Sequence, residues 1–262
     1  MKYGFIGCGN MGSAIATAMS KTSCNLVLTD RSGKGKALAE KLGCAYLEEN
    51  SDVIASCDRI FLGVKPQMMQ GVLEKLRDVL AEKKPLLITM AAGLTMERIE
   101  AFAGLRLPII RIMPNTPVAI GKGLVLYCTN DLVEDTMLES VLQDMAPCGR
   151  VAQLDEHLMD AGSALSGSGP AYLYVFLEAM ADGAVACGIP RAKAMEYAAA
   201  TMTGAAEMYL ASGQHPGALK DAVCSPMGST IAGIRALEAR NFRSAVMECV
   251  CATYQRNIEL GK

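Results

Sequence analysis

Apolar positions follow two regimes along the chain, with a change near residue 155. Before it, short runs of β-branched and aromatic residues alternate with longer segments whose apolar positions return every three or four residues. The short runs predict strands at 3–6, 26–29, 59–64, 86–90, 109–113, 124–128 and 150–153. The longer segments predict helices at 14–20, 34–42, 67–80, 96–102 and 133–145. This alternation argues for a parallel sheet covered by helices. Beyond residue 155 the strand signals stop. Residues 172–187, 191–211 and 242–260 read as long helices rich in Ala, Met and Leu, and 231–239 as a further helix. Pro190 sits where a first helical turn tolerates a missing N–H. The helix at 172–187 is apolar on nearly every side apart from Glu178 and Asp182. A helix apolar all round must be buried, and so small a helical unit needs a second subunit to bury it. The expectation is an α/β domain at 1–158 followed by an all-α dimerisation and substrate-binding domain at 159–262.

Gly7-Cys8-Gly9-Asn10-Met11-Gly12 stands between the first predicted strand and a helix expected to start near Ser13. A GxGxxG string alone is weak in a chain with 25 glycines, but that strand–helix setting makes it a Rossmann-type dinucleotide loop. Gly7 permits the tight turn, Gly9 lets backbone approach a pyrophosphate, and Gly12 lets helix and strand pack closely. The N–H groups at the helix start hold the anion. Asp30, at the end of the second strand, is placed to hold the ribose 2′-hydroxyl of NAD. Arg31 and Ser32, with Lys34 and Lys36 nearby, are the residue types that hold the 2′-phosphate of NADP. The choice between NAD and NADP stays open.

Composition narrows the classes. A chain that is 51% hydrophobic and 20% charged is globular rather than disordered. A net charge of −2 leaves no basic footprint for nucleic acid. Ten scattered cysteines form no CxxC pair, and two histidines do not supply a zinc site, so reduced cysteines serving as small core residues are expected. No secretory signal precedes the first strand, and the apolar stretch 171–177 falls far short of the ~20 residues that cross a bilayer. The reading is a soluble, cytoplasmic protein.

Three further segments read as loops at the carboxyl edge of the sheet, where ligands of such folds bind. They are Gly63-Val64-Lys65-Pro66, Met90-Ala91-Ala92-Gly93 and Met113-Pro114-Asn115-Thr116-Pro117. Pro66 and Pro114 are expected to stop the chain from continuing as helix or strand. In the helical half, residues 165–172 form a Ser/Gly turn into a long helix. Residues 225–230, Ser-Pro-Met-Gly-Ser-Thr, lead into another helix, whose first N–H groups and small hydroxyls would receive a carboxylate.

Taken together, the segments GFIGCGNMG, GVKP, AAGLT, RIMPNTP, LSGSGPAY, HPGALKDAVCSPMGSTIAG and NFRSAV resemble, in order and spacing, the pyrroline-5-carboxylate reductase family. The resemblance spans nearly the whole chain. It implies reduction of Δ1-pyrroline-5-carboxylate to L-proline by NAD(P)H, the last step of proline biosynthesis. It implies dinucleotide contacts at Ile6, Gly7, Cys8, Gly9, Asn10, Met11, Gly12, Arg31, Asn50, Gly63, Val64, Lys65, Pro66, Met90, Ala91 and Ala92. It implies that Ser225, Gly228, Ser229 and Thr230 hold the substrate carboxylate, with Thr230 reaching the ring nitrogen, and that no metal takes part. It also implies a homodimer through the helical domain, assembled in some members into a ring of dimers. One position departs from the family pattern: Met227 stands where the first of two glycines is usual, and a positive φ there would be costly for methionine.

Two other classes share parts of this pattern. A dehydrogenase of a hydroxy acid, or of another small imine, would keep the two-domain plan but usually relies on a lysine, and neither Lys193 nor Lys220 lies in a comparable small-residue motif. A non-catalytic dinucleotide-binding protein would have no use for residues 225–230.

Overall fold

The computed structural model describes residues 1–260. The chain runs β1 (Lys2–Ile6), α1 (Asn10–Met19), β2 (Asn25–Thr29), α2 (Lys34–Leu42), β3 (Ala45–Tyr46), α3 (Asn50–Ser56), β4 (Arg59–Leu62), α4 (Pro66–Glu74), α5 (Arg77–Lys83) and β5 (Leu86–Thr89). It continues through α6 (Met96–Ala103), β6 (Ile109–Met113), β7 (Gly123–Thr129), α7 (Asp135–Met145), β8 (Gly149–Gln153) and α8 (Met159–Gly162). After a π-helical turn at Ser163–Gly167 come α9 (Gly169–Ala186), α10 (Arg191–Ser212), α11 (Pro216–Ala222), α12 (Ser229–Glu238) and α13 (Phe242–Leu260).

The strands form one sheet in the order β3-β2-β1-β4-β5-β6-β7-β8. All neighbours are parallel except β6 and β7. Their link, 114–122, holds only a short 3₁₀ turn, too little chain to cross back over the sheet, so β7 returns antiparallel. Side chains alternate between the two faces. Phe5, Leu28, Phe61, Ile88 and Ile110 pack with Ile15 and Met19 on one side, where Phe5 and Phe61 stack at 4.4 Å. Ile6, Val27, Leu62, Leu87 and Ile109 pack with Met69, Leu73 and Ile99 on the other. Each such burial is worth about 1.5–3 kcal/mol, so the sheet carries its own core.

Several elements differ from the sequence expectation. The run 67–80 is two helices, because the Leu76 N–H turns to the Leu73 carbonyl at 3.0 Å and breaks the ladder. Helix α1 starts at Asn10 rather than near Ser13. Pro66 opens α4 at its first position, where its missing N–H costs nothing, instead of ending a run. Strand β3 and helices α3 and α11 had no separate signal.

The chain divides into two compact units: Met1–Ser168 together with residues 253–260, and Gly169–Ala252. Within the first, the buried Arg111 of β6 reaches Glu156 and Asp160, each at 3.3 Å. The Asn257 amide donates to the Asp160 carbonyl at 3.0 Å. Within the second, α9 packs on α10 around Ala181, Ala194 and Ala198, and Phe176 meets Phe242 at 5.6 Å. Its larger apolar residues, among them Leu173, Tyr174, Val175, Tyr209 and Leu210, are exposed. No described helix is long and apolar enough to cross a membrane. All ten cysteines are free.

Candidate functional site

In the sheet unit the site begins where β1 and β4 lie side by side and the chain leaves them in opposite directions, β1 toward β2 and β4 toward β5. That is the switch point at which open α/β sheets bind ligands. Gly7 has φ +97, a conformation that favours glycine. A Cβ on Gly63 would lie 2.3 Å from the Gly7 carbonyl oxygen, so the two loops meet only because both residues are glycine. Gly9 is different. Its φ is −65 and a Cβ there would meet nothing within 4 Å, so the fold itself has no need of glycine at that position. Gly9 is also the cap of α1 and offers no side-chain cap bond, which leaves the first N–H groups of the helix open. Open backbone donors beside a residue without a side chain fit a pyrophosphate.

Asp30 follows β2. Its carboxylate accepts the Cys8 N–H at 3.2 Å, and the Ser32 N–H at 2.7 Å and hydroxyl at 2.5 Å. Partial burial pushes the Asp30 carboxyl up, but these bonds and one from the Gly35 N–H outweigh it and hold it below the usual carboxylate range. Asp30 therefore braces the loop from within, and Ser32 is committed to it, while Arg31 stays exposed. The Cys8 side chain is buried, and burial, then the Asp30 carboxylate and Cys44, push its thiol up to about 12. Cys8 can meet a ligand only through its backbone.

Two cavities extend this edge. One, of about 670 Å³, brings Arg31 and Asn50 together with Glu48, Glu49, Ser51 and Lys75. The other, of about 660 Å³, joins Pro66 and Ala92 with Gln67, Gln70, Arg98 and Asn257. Val64 and Met90 are half-buried, Ala91 is buried and Lys65 is exposed on the loops that follow β4 and β5. Sequence reasoning missed two residues lining that first cavity: Ser51, on a helix without a signal, and Lys75, just past the end of α4, where a longer helix was expected to run on.

In the helical unit, Ser225–Gly228 forms a tight turn closed by the Gly228 N–H donating to the Ser225 carbonyl at 3.0 Å. Proline at its second position and a positive φ at its third match a type II turn, whose third position favours glycine. Here that residue is Met227, with φ +60, a left-handed conformation costing a side-chain-bearing residue about 1–2 kcal/mol. A Cβ on Gly228 would lie 2.3 Å from Ser225 Oγ, a hydroxyl that would have to turn aside. The N–H of Gly228 is spent on the turn, so the donors left for a ligand are those of Ser229 and Thr230, not Gly228 as expected. Helix α12 starts at Ser229 without a side-chain cap bond. The Ser225, Ser229 and Thr230 side chains form no hydrogen bond among the described residues, although capping is the usual occupation of such hydroxyls. Nearby, Lys220 pairs with Asp221, and that bond raises its pKa. No group of His, Cys, Asp and Glu among the described residues could hold a metal ion.

Known proteins match this arrangement along its whole length. A family model described as pyrroline-5-carboxylate reductase dimerisation matches residues 156–260. A model described as NADP oxidoreductase, coenzyme F420-dependent, matches residues 2–93. The pyrroline-5-carboxylate reductase of Pisum sativum is 38% identical, covering 98% of this chain and 95% of its own. That of Escherichia coli K12 is 39% identical over all of this chain and 98% of its own. A Plasmodium falciparum pyrroline carboxylate reductase, solved with NADP bound, is 33% identical with a TM-score of 0.90, covering all of this chain and 98% of its own.

Proposed function

The chain belongs to the pyrroline-5-carboxylate reductase family, and on that basis we propose that it reduces the C=N bond of Δ1-pyrroline-5-carboxylate to give L-proline. The observation that carries the substrate site is the unspent hydrogen-bonding capacity at the start of α12: two open N–H groups and three unpaired hydroxyls in one short segment.

Residues 1–158 would serve the dinucleotide and 159–262 the substrate and the second subunit. The N–H groups at Gly9, Asn10 and Met11 would hold the pyrophosphate, with Ile6, Gly7, Cys8 and Gly12 shaping the turn. Asn50 and Arg31 would line the adenosine side, and Gly63 to Pro66 and Met90 to Ala92 the nicotinamide side. When bound, the reduced dinucleotide supplies hydride to the imine carbon. Ser225 and Ser229 hold the carboxylate, and Thr230 orients the ring nitrogen, which takes its proton from water. The hydroxyl is too weak an acid for general acid catalysis, so positioning supplies most of the rate. The two-subunit form joins through the helical unit, with a ring of dimers as its larger assembly. Free cysteines suit a reducing cytoplasm.

Steady-state assays with pyrroline-5-carboxylate, reading proline formation with NADPH and NADH in parallel, test this directly. Tight dinucleotide binding with no proline formed from either cofactor would overturn it. Arg31→Ala should raise the KM for NADPH by roughly tenfold or more, the worth of a charge-assisted bond, and barely alter that for NADH. Equal effects would mean that Arg31 does not read a 2′-phosphate.

A further inference from the structure

In a dinucleotide bound on this kind of sheet, the 2′ position of the adenosine ribose lies against the end of the second strand. An acid that accepts from the ribose hydroxyl there favours NAD, and an arginine there favours NADP. Asp30 and Arg31 follow β2 one after the other, so the cofactor is decided by which of them faces the ligand.

The Asp30 carboxylate is already occupied. A carboxylate offers about four lone-pair sites. Asp30 Oδ2 accepts the Cys8 N–H at 3.2 Å, Oδ1 accepts the Ser32 N–H at 2.7 Å and hydroxyl at 2.5 Å, and the Gly35 N–H is a further donor. The side chain is drawn so far inward that a Cβ on Gly35 would lie 2.7 Å from the Asp30 Cβ. The cavity of about 670 Å³ is accordingly lined by Thr29 and Arg31, on either side of Asp30, and not by Asp30 itself. Arg31 and Lys75 are its cations, and neither is in an ion pair among the described residues. Glu48 and Glu49 line it too, so its charge is balanced overall and the choice falls to what stands at the end of β2.

Three of the donors on Asp30 are backbone N–H groups, fixed by the loop. The Ser32 hydroxyl is the one side-chain donor among them. We infer that Ser32 is a specificity-determining residue that acts through Asp30: by filling this carboxylate it withholds it from the ribose hydroxyl, leaves Arg31 to meet a 2′-phosphate, and makes NADPH the preferred cofactor. This rests on the reading of the cavity beside Arg31 and Asn50 as the adenosine side of the dinucleotide site.

The test titrates NADPH and NADH by fluorescence, without pyrroline-5-carboxylate, into the parent, Ser32→Ala and Ser32→Thr, with thermal unfolding alongside. The parent should bind NADPH about tenfold tighter or more, the least that a charge-assisted bond to the phosphate confers. Ser32→Ala should narrow that gap by roughly tenfold through tighter NADH binding, because Asp30 regains a free lone pair for the ribose. Ser32→Thr keeps a hydroxyl and should keep the parent's gap. A parent that binds NADH as well as NADPH, or an unchanged gap in Ser32→Ala, would overturn the proposal. So would a gap narrowed through weaker NADPH alone, which would put the hydroxyl on the phosphate, or an equal loss of both cofactors with a lower Tm, which would make Ser32 a brace of the loop and no more. A parent that binds neither dinucleotide would instead overturn the reading of the cavity. A parent that binds them as stated but forms no proline would overturn the functional reading and leave this one standing.

Discussion

The two units bury their apolar residues in opposite ways. In the sheet unit, parallel strands β1, β4 and β5 are covered on both faces, and side chains as large as Phe5, Phe61, Ile88 and Leu62 are fully buried within the single chain. In the helical unit the fully enclosed core is three alanines, and residues as large as Leu173, Tyr174 and Leu210 lie open. A sheet satisfies itself once helices cover its two faces. Two helices packed through alanine leave most of their apolar surface on the outside, and a second copy of that surface is the natural cover, in keeping with the dimerisation family matched over 156–260. The first unit is specified by its own sequence, the second by its sequence taken twice.

The sharpest way to break this contrast is to charge the open face. Leu173→Glu with Val175→Glu should convert the protein to monomer by light scattering and abolish proline formation, while dinucleotide binding survives in the sheet unit. An unpaired carboxylate buried at an interface costs about 3–5 kcal/mol, and a two-fold interface counts each one twice. A stable, active dimer of this variant would show that the face is not the interface.

The next largest effect lies within the sheet unit, between two glycines of one site. Gly63→Ala forces a Cβ onto the Gly7 carbonyl and should destabilise by about 1–3 kcal/mol. Gly9→Val puts its Cβ in open space and should cost only the change of cap, about 1 kcal/mol, yet weaken NADPH binding by about a hundredfold or more, as two lost charge-assisted bonds would. Fluorescence titration with thermal unfolding reads both; unchanged NADPH affinity in Gly9→Val would detach the loop from the dinucleotide.

Thr230→Ala should affect the helical unit's chemistry alone. Its hydroxyl has no protein partner, so Tm and NADPH affinity should hold while kcat/KM for pyrroline-5-carboxylate falls about tenfold, with Thr230→Ser recovering most of it. Turnover equal to the parent would remove that hydroxyl from catalysis.

The smallest effect is titrational. The Asp30 carboxyl is held below its unfolded value, so its contribution to stability is full above the unfolded pKa and is lost as pH falls through the folded one. Asp30→Asn should therefore melt below the parent at pH 7, and the gap should close in acid, between about pH 4 and the lower folded value. A gap independent of pH would mean that the charge is not what braces the loop.

Much of this was legible from residue pattern, for identifiable reasons. The Gly7–Gly12 loop could be read because strand, turn and helix start are all local. The break between α4 and α5 could not, because Leu73, Leu76 and Leu80 keep their helical spacing straight through it. Strand β3 is two residues long and offers no alternation to detect. Position 227 was readable as a departure from pattern, but only the backbone shows that its φ is positive and that Gly228 has spent its N–H. The partners of Arg111 lie 45 and 49 residues away along the chain, beyond the reach of any window of periodicity.

The bond from Asn257 to the Asp160 carbonyl bears on how the protein is made. Residues 253–260 belong to the sheet unit, so the helical unit is an insertion between two parts of it. On the ribosome the sheet can form as soon as β8 has emerged, since domains fold largely in the order of synthesis. Asn257 appears only after every residue of the inserted helices. The first unit to fold is thus the last to be completed, and a chain stalled anywhere in the helices would carry a finished sheet that lacks its final clasp.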